Sequence, residues 1–309
     1  MTLAQLQYAI SLRKHGSFKK AAEHLAITQP ALSLQIQKLE DEIGMVLFDR
    51  SRSPIAPTAD GSSFLLRAEE IVFNVQKLEH FVQELSQDFH GKLTIGIIPT
   101  LAPFLTPLFI EELQNDYPKL EIDIVEMLTD QVIEGVRNGD LDAGLLSTPC
   151  RVFGIQTTPL FYERFFFYTS GKEGMANDIR LENIDYQKLW LLNEGNCFRD
   201  QINNFCDLNA IRKNKRFVYR SNSIDSLIRI VDAKGGMTIL PELTTLSLDE
   251  QQEQQISPIG NKAREIGLIT RNHCGKERFI EKLTSYIRKN IPSKMLIPNG
   301  LTIVDPEIA

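Results

Sequence analysis

The stretch FKKAAEHLAITQPALSLQIQKLE, residues 18–40, decides how the first part of the chain folds. Phe18, Ala21, Ala22 and Leu25 recur at helical spacing behind Ser17, a residue type that caps helix N-termini. Ala26, Ile27 and Thr28 then leave room only for a sharp change of helix direction. Thr28-Gln29-Pro30 opens the next helix, because Thr caps and Pro is tolerated where the first-turn N–H has no partner anyway. Leu32, Ile36 and Leu39 form its inner stripe, leaving Gln29, Pro30, Ser33, Leu34, Gln37 and Lys38 outward or sideways. Two helices across a tight turn, with small Ala21 and Ala22 allowing close approach, predict a helix-turn-helix whose second helix can offer polar side chains to base edges. An ordinary three-helix bundle with a basic loop fits the same periodicity.

Upstream, Leu6, Ala9, Ile10 and Leu12 predict a preceding amphipathic helix that ends before His15, Gly16 and Ser17. Downstream of Gly44, the segment Val46-Leu47-Phe48 followed by Arg50 to Thr58 reads as two short strands around a basic tip carrying Arg50 and Arg52, a wing able to reach phosphates. From Asp60 the apolar positions Phe64, Ala68, Ile71, Val75, Leu78, Val82 and Leu85 step by fours and threes. A strict 3.5-residue repeat makes a narrow seam suited to pairing with a second copy; a plain core helix is the alternative. That helix is expected to end between Asp88 and Gly91.

The chain has 309 residues, 42% hydrophobic and 24% charged, enough for about two domains and a sizeable core. Its net charge of −6 is unevenly spread: residues 1–58 hold seven basic and five acidic residues, and the remainder is strongly acidic. That asymmetry suits a small polyanion-tolerant module on an acidic body. No apolar run approaches the ~20 residues of a membrane span, and no basic flank precedes a greasy N-terminal stretch. The expectation is a soluble, cytoplasmic protein with no membrane partner. Four cysteines, Cys150, Cys197, Cys206 and Cys274, form no CxxC pair and lack zinc spacing. No dinucleotide fingerprint, phosphate loop or nucleophile elbow occurs, so neither a metal nor a cofactor is expected.

From Lys92 onward β-rich runs alternate with helical patterns: Leu93 to Ile98, a helix to Tyr117, Leu120 to Leu128, a helix from Asp130 to Asn138, and Leu141 to Leu146. Parallel α/β follows. Further strands are expected at Leu160 to Thr169, Trp190 to Leu192, Phe217 to Arg220, Met237 to Leu240 and Ile266 to Thr270, giving a second α/β unit with a return strand. Asp249 to Gln255 reads as a solvated loop, and residues after Pro292 as a docking or frayed tail. Asn196 looks like an N-cap and Cys197 the first helical residue, a position where the helix terminus and nearby Arg199 favour a thiolate. In a continuous helix Cys206 would lie about 13 Å further along on the opposite face. A disulfide needs Cα atoms within about 7 Å, so the pair joins only if the helix between is rebuilt. The bland alternative makes Cys206 a small buried hydrophobe and Cys197 incidental.

The run from Phe18 to Ser33, continuing through Ile36-Gln37-Lys38-Leu39-Glu40 to Gly44, Leu47, Phe48, Arg50, Pro57 and Thr58, closely resembles the N-terminal module of LysR-type transcriptional regulators. The resemblance implies a winged helix-turn-helix over residues 1–58, a linker helix over 59–90 that pairs subunits, and a two-subdomain, periplasmic-binding-protein-like α/β sensory domain over 91–309. It implies a homodimer or homotetramer on double-stranded promoter DNA, with Thr28, Gln29, Pro30, Ser33, Gln37 and Lys38 near bases or backbone and Arg50 and Arg52 on the wing. Asn193 to Gln201, with Phe205-Cys206, Ile98-Pro99-Thr100, Thr129, Gly236 to Pro241 and Ile266-Gly267-Leu268 leading to Arg271, looks like the peroxide-sensing members of that family. By that likeness Cys197 is the peroxidatic thiol and Cys206 the resolving one. Thr100, Thr129, Asn196 and Arg271 then surround hydrogen peroxide, with Asn196 where relatives commonly carry His. The implied cycle ends in RNA polymerase recruitment and reset by a cellular dithiol reductant, with no catalytic turnover of an external substrate. Cys150 and Cys274 inherit no role. A regulator answering to a small organic effector in the inter-subdomain cleft, and a thiol peroxidase carrying a DNA module, are the competing readings.

Overall fold

A computed structural model describes residues 1–85, 91–170, 184–206, 219–272 and 274–308, and the chain divides into two compact units, residues 1–87 and 88–309. In the first unit, α1 (Leu3–His15), α2 (Phe18–His24) and α3 (Gln29–Ile43) pack around Ala9, Leu12, Ala21, Ala22, Leu32, Ile36 and Leu39. Thr2 and Gln5 close a capping box on α1, and Thr28 Oγ1 accepts the Ala31 N–H at the start of α3. Two short antiparallel strands, β1 (Phe48–Asp49) and β2 (Ala56–Pro57), make the wing. Gly16, at φ +57°, ends α1 where its carbonyl accepts the Ile55 N–H; a side chain there would strike Pro54.

The next helix, α4 (Ala59–Leu85), is not free along its whole seam. Phe64 and Ala68 pack with Leu6 and Val72 inside the same chain, so these two seam positions are spent on the first unit. Ile71 and Leu78 stay exposed and Val75 half-buried, while the side chains of Val82 and Leu85 and all of residues 86–90 lie outside the described residues. Leu65 and Val72, at neither seam position, are buried instead.

In the second unit, β3 (Gly91–Ile97), α5 (Ala102–Asp116), β4 (Leu120–Glu126), α6 (Thr129–Asn138) and β5 (Ala143–Thr148) form parallel βαβ turns. Two long strands then change the pattern. β6 (Ile155–Thr169) and β8 (Ile256–Arg271) pair antiparallel, β8 also flanks β5, and β6 carries β7 (Met237–Pro241). The sheet order β4-β3-β5-β8-β6-β7 is therefore mixed: its β4-β3-β5 part is parallel as expected, and the long antiparallel strands β6 and β8 extend it. Helices α8 (Ile224–Lys234), α9 (Glu242–Thr245) and α11 (Glu277–Asn290) pack on it, and α7 (Cys197–Asn203) and α10 (Glu250–Glu253) lie in the connections. One core gathers Ile95, Leu105, Phe109, Val132, Leu145 and Leu283; a second gathers Phe165, Phe167, Ile202, Leu227, Val231 and Ile239. β6 and β8 run through both, with register shifts after Pro159 and Arg164.

Several local expectations change. Trp190 to Leu192 forms no strand; a single bridge joins Leu189 to Met237. Tyr219 and Arg220 are likewise irregular, and Phe217 lies outside the described residues. The Gln-rich loop holds a short helix, since the Asp249 carboxylate accepts the Gln251 and Gln252 N–H groups. The segment after Pro292 is docked: β9 (Thr302–Ile303) pairs with β8, and Val304 enters the second core.

Candidate functional site

In the first unit, Thr28, Gln29, Pro30, Gln37 and Lys38 are exposed and Ser33 is half-buried, all on or opening α3. The residue that binds this helix to the wing is one sequence reading passed over. Glu40 is buried, and its carboxylate accepts the Leu47 N–H at 2.8 Å, the Phe48 N–H at 3.2 Å and an Arg50 Nη2–H at 2.7 Å. Arg50 also lies 5.6 Å over the Phe18 ring, so its charge is committed to the scaffold. Arg52 is more exposed, paired to Asp49 at the tip at 2.9 Å. Glu40→Gln, which keeps the shape and removes the charge, is expected to weaken DNA binding about tenfold through a loosened wing while α3 stays folded; binding titrations paired with circular dichroism check this.

In the second unit, Gly195 at φ +83° turns the chain against Leu128, bringing the start of α7 beside the start of α6. Asn196 precedes the helix and Cys197 opens it. A cavity of about 560 Å³ is lined by Cys197, Gly195 and Asp200 from one side, Thr129, Asp130 and Ile133 from α6, and Pro306 to Ile308 from the docked terminal segment. Burial, only partly opposed by Arg199, pushes the Asp200 carboxyl above the usual range, and Asp130, Glu194 and Glu307 push the same way. Asn196 is buried; its Nδ2 donates to Asn222 Oδ1 at 3.2 Å, and its Oδ1 has no hydrogen-bond partner among the described residues. That leaves a buried acceptor without a partner among the described residues on the residue preceding Cys197.

Thr100 is fully buried and accepts an Nη1–H of Arg264 at 3.0 Å. Arg264 is itself 0% exposed, the largest fully buried side chain among the described residues, and sits 4.7 Å over the ring of Phe198, the neighbour of Cys197. Its counter-ion is Glu163, the facing residue across β6 and β8, at 2.7 Å; Nε donates to the same oxygen at 2.8 Å. Nη2 lies at ion-pair distance without the angle for a hydrogen bond, which leaves donor capacity in the buried guanidinium. Burial raises the Glu163 carboxyl against the pull of Arg264. This cation was invisible in sequence because its partner lies 101 residues away.

Two expected cations serve elsewhere. Arg271 lies at the end of β8 with its guanidinium near 3.1 Å from where a Gly139 side chain would project, at the C-terminal end of α6. Thr129 opens that ten-residue helix, so the two are about 15 Å apart along it. Arg271 is a helix C-terminal cation and does not join Thr129 around the cavity. Arg199 Nη1 donates to the Leu192 carbonyl at 2.7 Å and Nη2 lies 3.6 Å from Glu194, so it braces the preceding loop.

All four cysteines are free thiols. The helix between the two of interest is shorter than expected: α7 ends at Asn203, and Cys206 follows in a turn whose N–H bonds Ile202 at 2.8 Å. Phe205 packs edge-on against Phe165 at 5.1 Å and draws that turn toward the second core. Cys197 belongs to the first core and Cys206 to the second. Burial raises the Cys206 thiol to about 12 despite Lys262 nearby. Cys150 and Cys274 are also raised by burial and pack with the first core.

A mixed two-core α/β body with a buried free thiol in each core, in one chain with a winged helix-turn-helix, defines a sensor-coupled DNA-binding regulator. The chain belongs to the LysR family: residues 3–62 match the bacterial regulatory helix-turn-helix protein model of the lysR family, and residues 86–291 match the LysR substrate binding domain. It is 27% identical over 297 residues to the hydrogen peroxide-inducible genes activator of Haemophilus influenzae, covering 95% of this chain and 98% of that one. It is 31% identical over 245 residues to the DNA-binding transcriptional dual regulator OxyR of Escherichia coli K12, covering 79% and 80%. A full-length OxyR variant from Pseudomonas aeruginosa superposes with a TM-score of 0.72 at 28% identity over 93% of this chain and 95% of that chain. A hydrogen peroxide-bound mutant of Corynebacterium glutamicum OxyR does so at 0.58 and 26% identity over 99% and 98%. The regulatory body has the periplasmic-binding-protein-like arrangement of this family. No described helix is long and apolar enough to cross a membrane.

Proposed function

We propose that the chain is a peroxide-sensing transcriptional activator working through reversible oxidation of Cys197 and a disulfide with Cys206. The observation that carries this is the pair of free thiols placed in different cores, one on a cavity and one sealed nearby. Peroxide enters beside Cys197, where the Thr129 hydroxyl lines the cavity and Asn196 Oδ1 is a free acceptor among the described residues, while Arg264, over the Phe198 ring and bonded to Thr100, is a buried cation of this region. The thiolate attacks one oxygen, the O–O bond breaks, and water leaves with a proton, giving a sulfenic acid. The Cys206 thiol then displaces that hydroxyl as a second water, forming the S–S bond. The barrier to this step is geometric, since α7 and its following turn must be rebuilt. The expected moving segment, Asn193 to Leu208, has its last two residues outside the described ones.

One round of chemistry converts the protein itself, so the device is a sensor and not an enzyme; a cellular dithiol returns it. Ile71, Val75 and Leu78 on α4 support self-pairing, which presents two α3 helices to a partly palindromic site on promoter DNA. A dimer or tetramer, RNA polymerase as the recruited partner and a cytoplasmic location complete the proposal. Footprinting one promoter with reduced and peroxide-treated protein tests it. A changed footprint in the wild type that Cys197→Ser lacks is expected; identical footprints before and after peroxide overturn it, and a footprint shift produced by small organic acids alone favours effector sensing.

A further inference from the structure

We infer that the terminal segment 302–308 is a latch on the redox helix, holding α7 in its reduced arrangement and setting how fast the sulfenic acid is resolved. The inference rests on the thiol-switch reading above and adds the element that regulates it. Thr302 and Ile303 are anchored on β8, and the Val304 N–H donates to Ala263 O at 2.8 Å. From that anchor the segment reaches α7 at two points. Gln201, fully buried one turn after Cys197, donates Nε2–H to the Val304 carbonyl at 2.7 Å while its Oε1 accepts from Ser147 of β5 at 3.3 Å. Asn204 Nδ2, at the end of the helix, donates to the Asp305 carbonyl at 3.1 Å.

The far end is fixed independently. Asp305 accepts from Arg151 Nη2 at 2.7 Å, and the Arg151 N–H donates to the Ile308 carbonyl at 3.1 Å. Pro306 to Ile308 line the cavity with Cys197, and Glu307 is held at φ +57°, a left-handed backbone stabilised by its N–H bond to Asp305 Oδ1 at 2.8 Å. Bringing Cys206 to Cys197 requires α7 to unwind between them, and both α7 bonds to the segment lie in that interval. The resolving step therefore cannot finish with Gln201 and Asn204 still latched. The electron balance is that of the sensing reaction itself: the sulfenic sulfur is reduced as the Cys206 thiol is oxidised, and water leaves.

Arg151→Ala and Asp305→Ala remove the exposed clamp side chains while leaving the Asp305 carbonyl that Asn204 bonds, the α7 side chains and both cysteines unchanged. With full-length reduced protein and one equivalent of hydrogen peroxide, rapid quench with a thiol alkylator and peptide mapping reads disulfide formation. Trapping with dimedone in a Cys206→Ser background reads the first oxidation. Disulfide formation about twofold to tenfold faster in both variants is expected, the range set by loss of a surface ion pair and a loosened pair of hydrogen bonds. Amide exchange over 302–308, slow in reduced wild type, is expected to become fast on oxidation. Resolution rates equal to wild type in both variants overturn the latch. So does a segment equally protected in both redox states. Wild-type protein that acquires sulfenic acid but never the Cys197–Cys206 disulfide overturns the switch itself, a failure visible before any variant is compared.

Discussion

Arg264→Met is expected to destabilise the regulatory domain by about 3–5 kcal/mol, the cost of leaving a buried carboxylate without its counter-ion. For a domain of this size that is a fall in Tm of roughly 6–20 °C. Glu163 is fully buried, and its other contact, the Leu243 N–H at 2.9 Å, does not neutralise it. The double variant Glu163→Gln with Arg264→Met removes both charges and is expected to recover much of the stability, because no unpaired charge is left buried and the Gln oxygen can still accept the Leu243 N–H. Oxidation of Cys197 separates this structural role from a functional one. If the guanidinium beside Phe198 and Thr100 stabilises the oxygen that leaves during attack, both the single and the double variant oxidise roughly 10²-fold more slowly, the usual cost of a lost preorganised donor. Calorimetry and peroxide-dependent alkylation on the same samples check the two effects, and a double variant with both wild-type stability and wild-type oxidation rate would reduce Arg264 to scaffolding.

The second large effect concerns the pH dependence of resolution. Below the Cys206 pKa the thiolate fraction rises tenfold per pH unit, so a Cys206 that attacks while still buried gives a resolving rate that climbs toward about pH 12. A Cys206 released by rebuilding titrates near the ordinary value of about 8.5 and levels off there. The arrangement of the two cores predicts the second profile, with resolution rising through roughly pH 7–9 and then flat. Stopped-flow measurement of disulfide formation from preformed sulfenic acid distinguishes them. Continued tenfold steps above pH 9.5 would mean attack from the buried state.

What could be read from the chain alone follows from which forces act locally. The helix-turn-helix was legible because caps, a proline and a 3.6-residue period all lie within some thirty residues and agree. Cys197 at the start of α7 was legible from a short-range signal too, although the Asn196 side chain makes no capping bond and turns to Asn222 instead. The seam on α4 was legible as a period, yet period alone does not say against what a residue packs, and Phe64 and Ala68 are taken up by the chain's own α1. Arg264 was illegible because its role comes from cross-strand pairing with Glu163, and a charged residue within a strand pattern reads as solvent-facing. Arg271, only seven residues on, fits the motif but the strand carries it to the far end of α6. Residues 302–308 show no periodicity because two residues of strand and a string of single hydrogen bonds have none to show, although they touch the redox helix directly.

The most direct test of the central claim is disulfide mapping by mass spectrometry on reduced, full-length protein before and after substoichiometric hydrogen peroxide. A Cys197–Cys206 cross-link, two hydrogens lighter, appearing only after peroxide and absent in Cys197→Ser, is the predicted result. Intact thiols at both positions up to millimolar peroxide, or oxidation confined to Cys150 or Cys274, would contradict it.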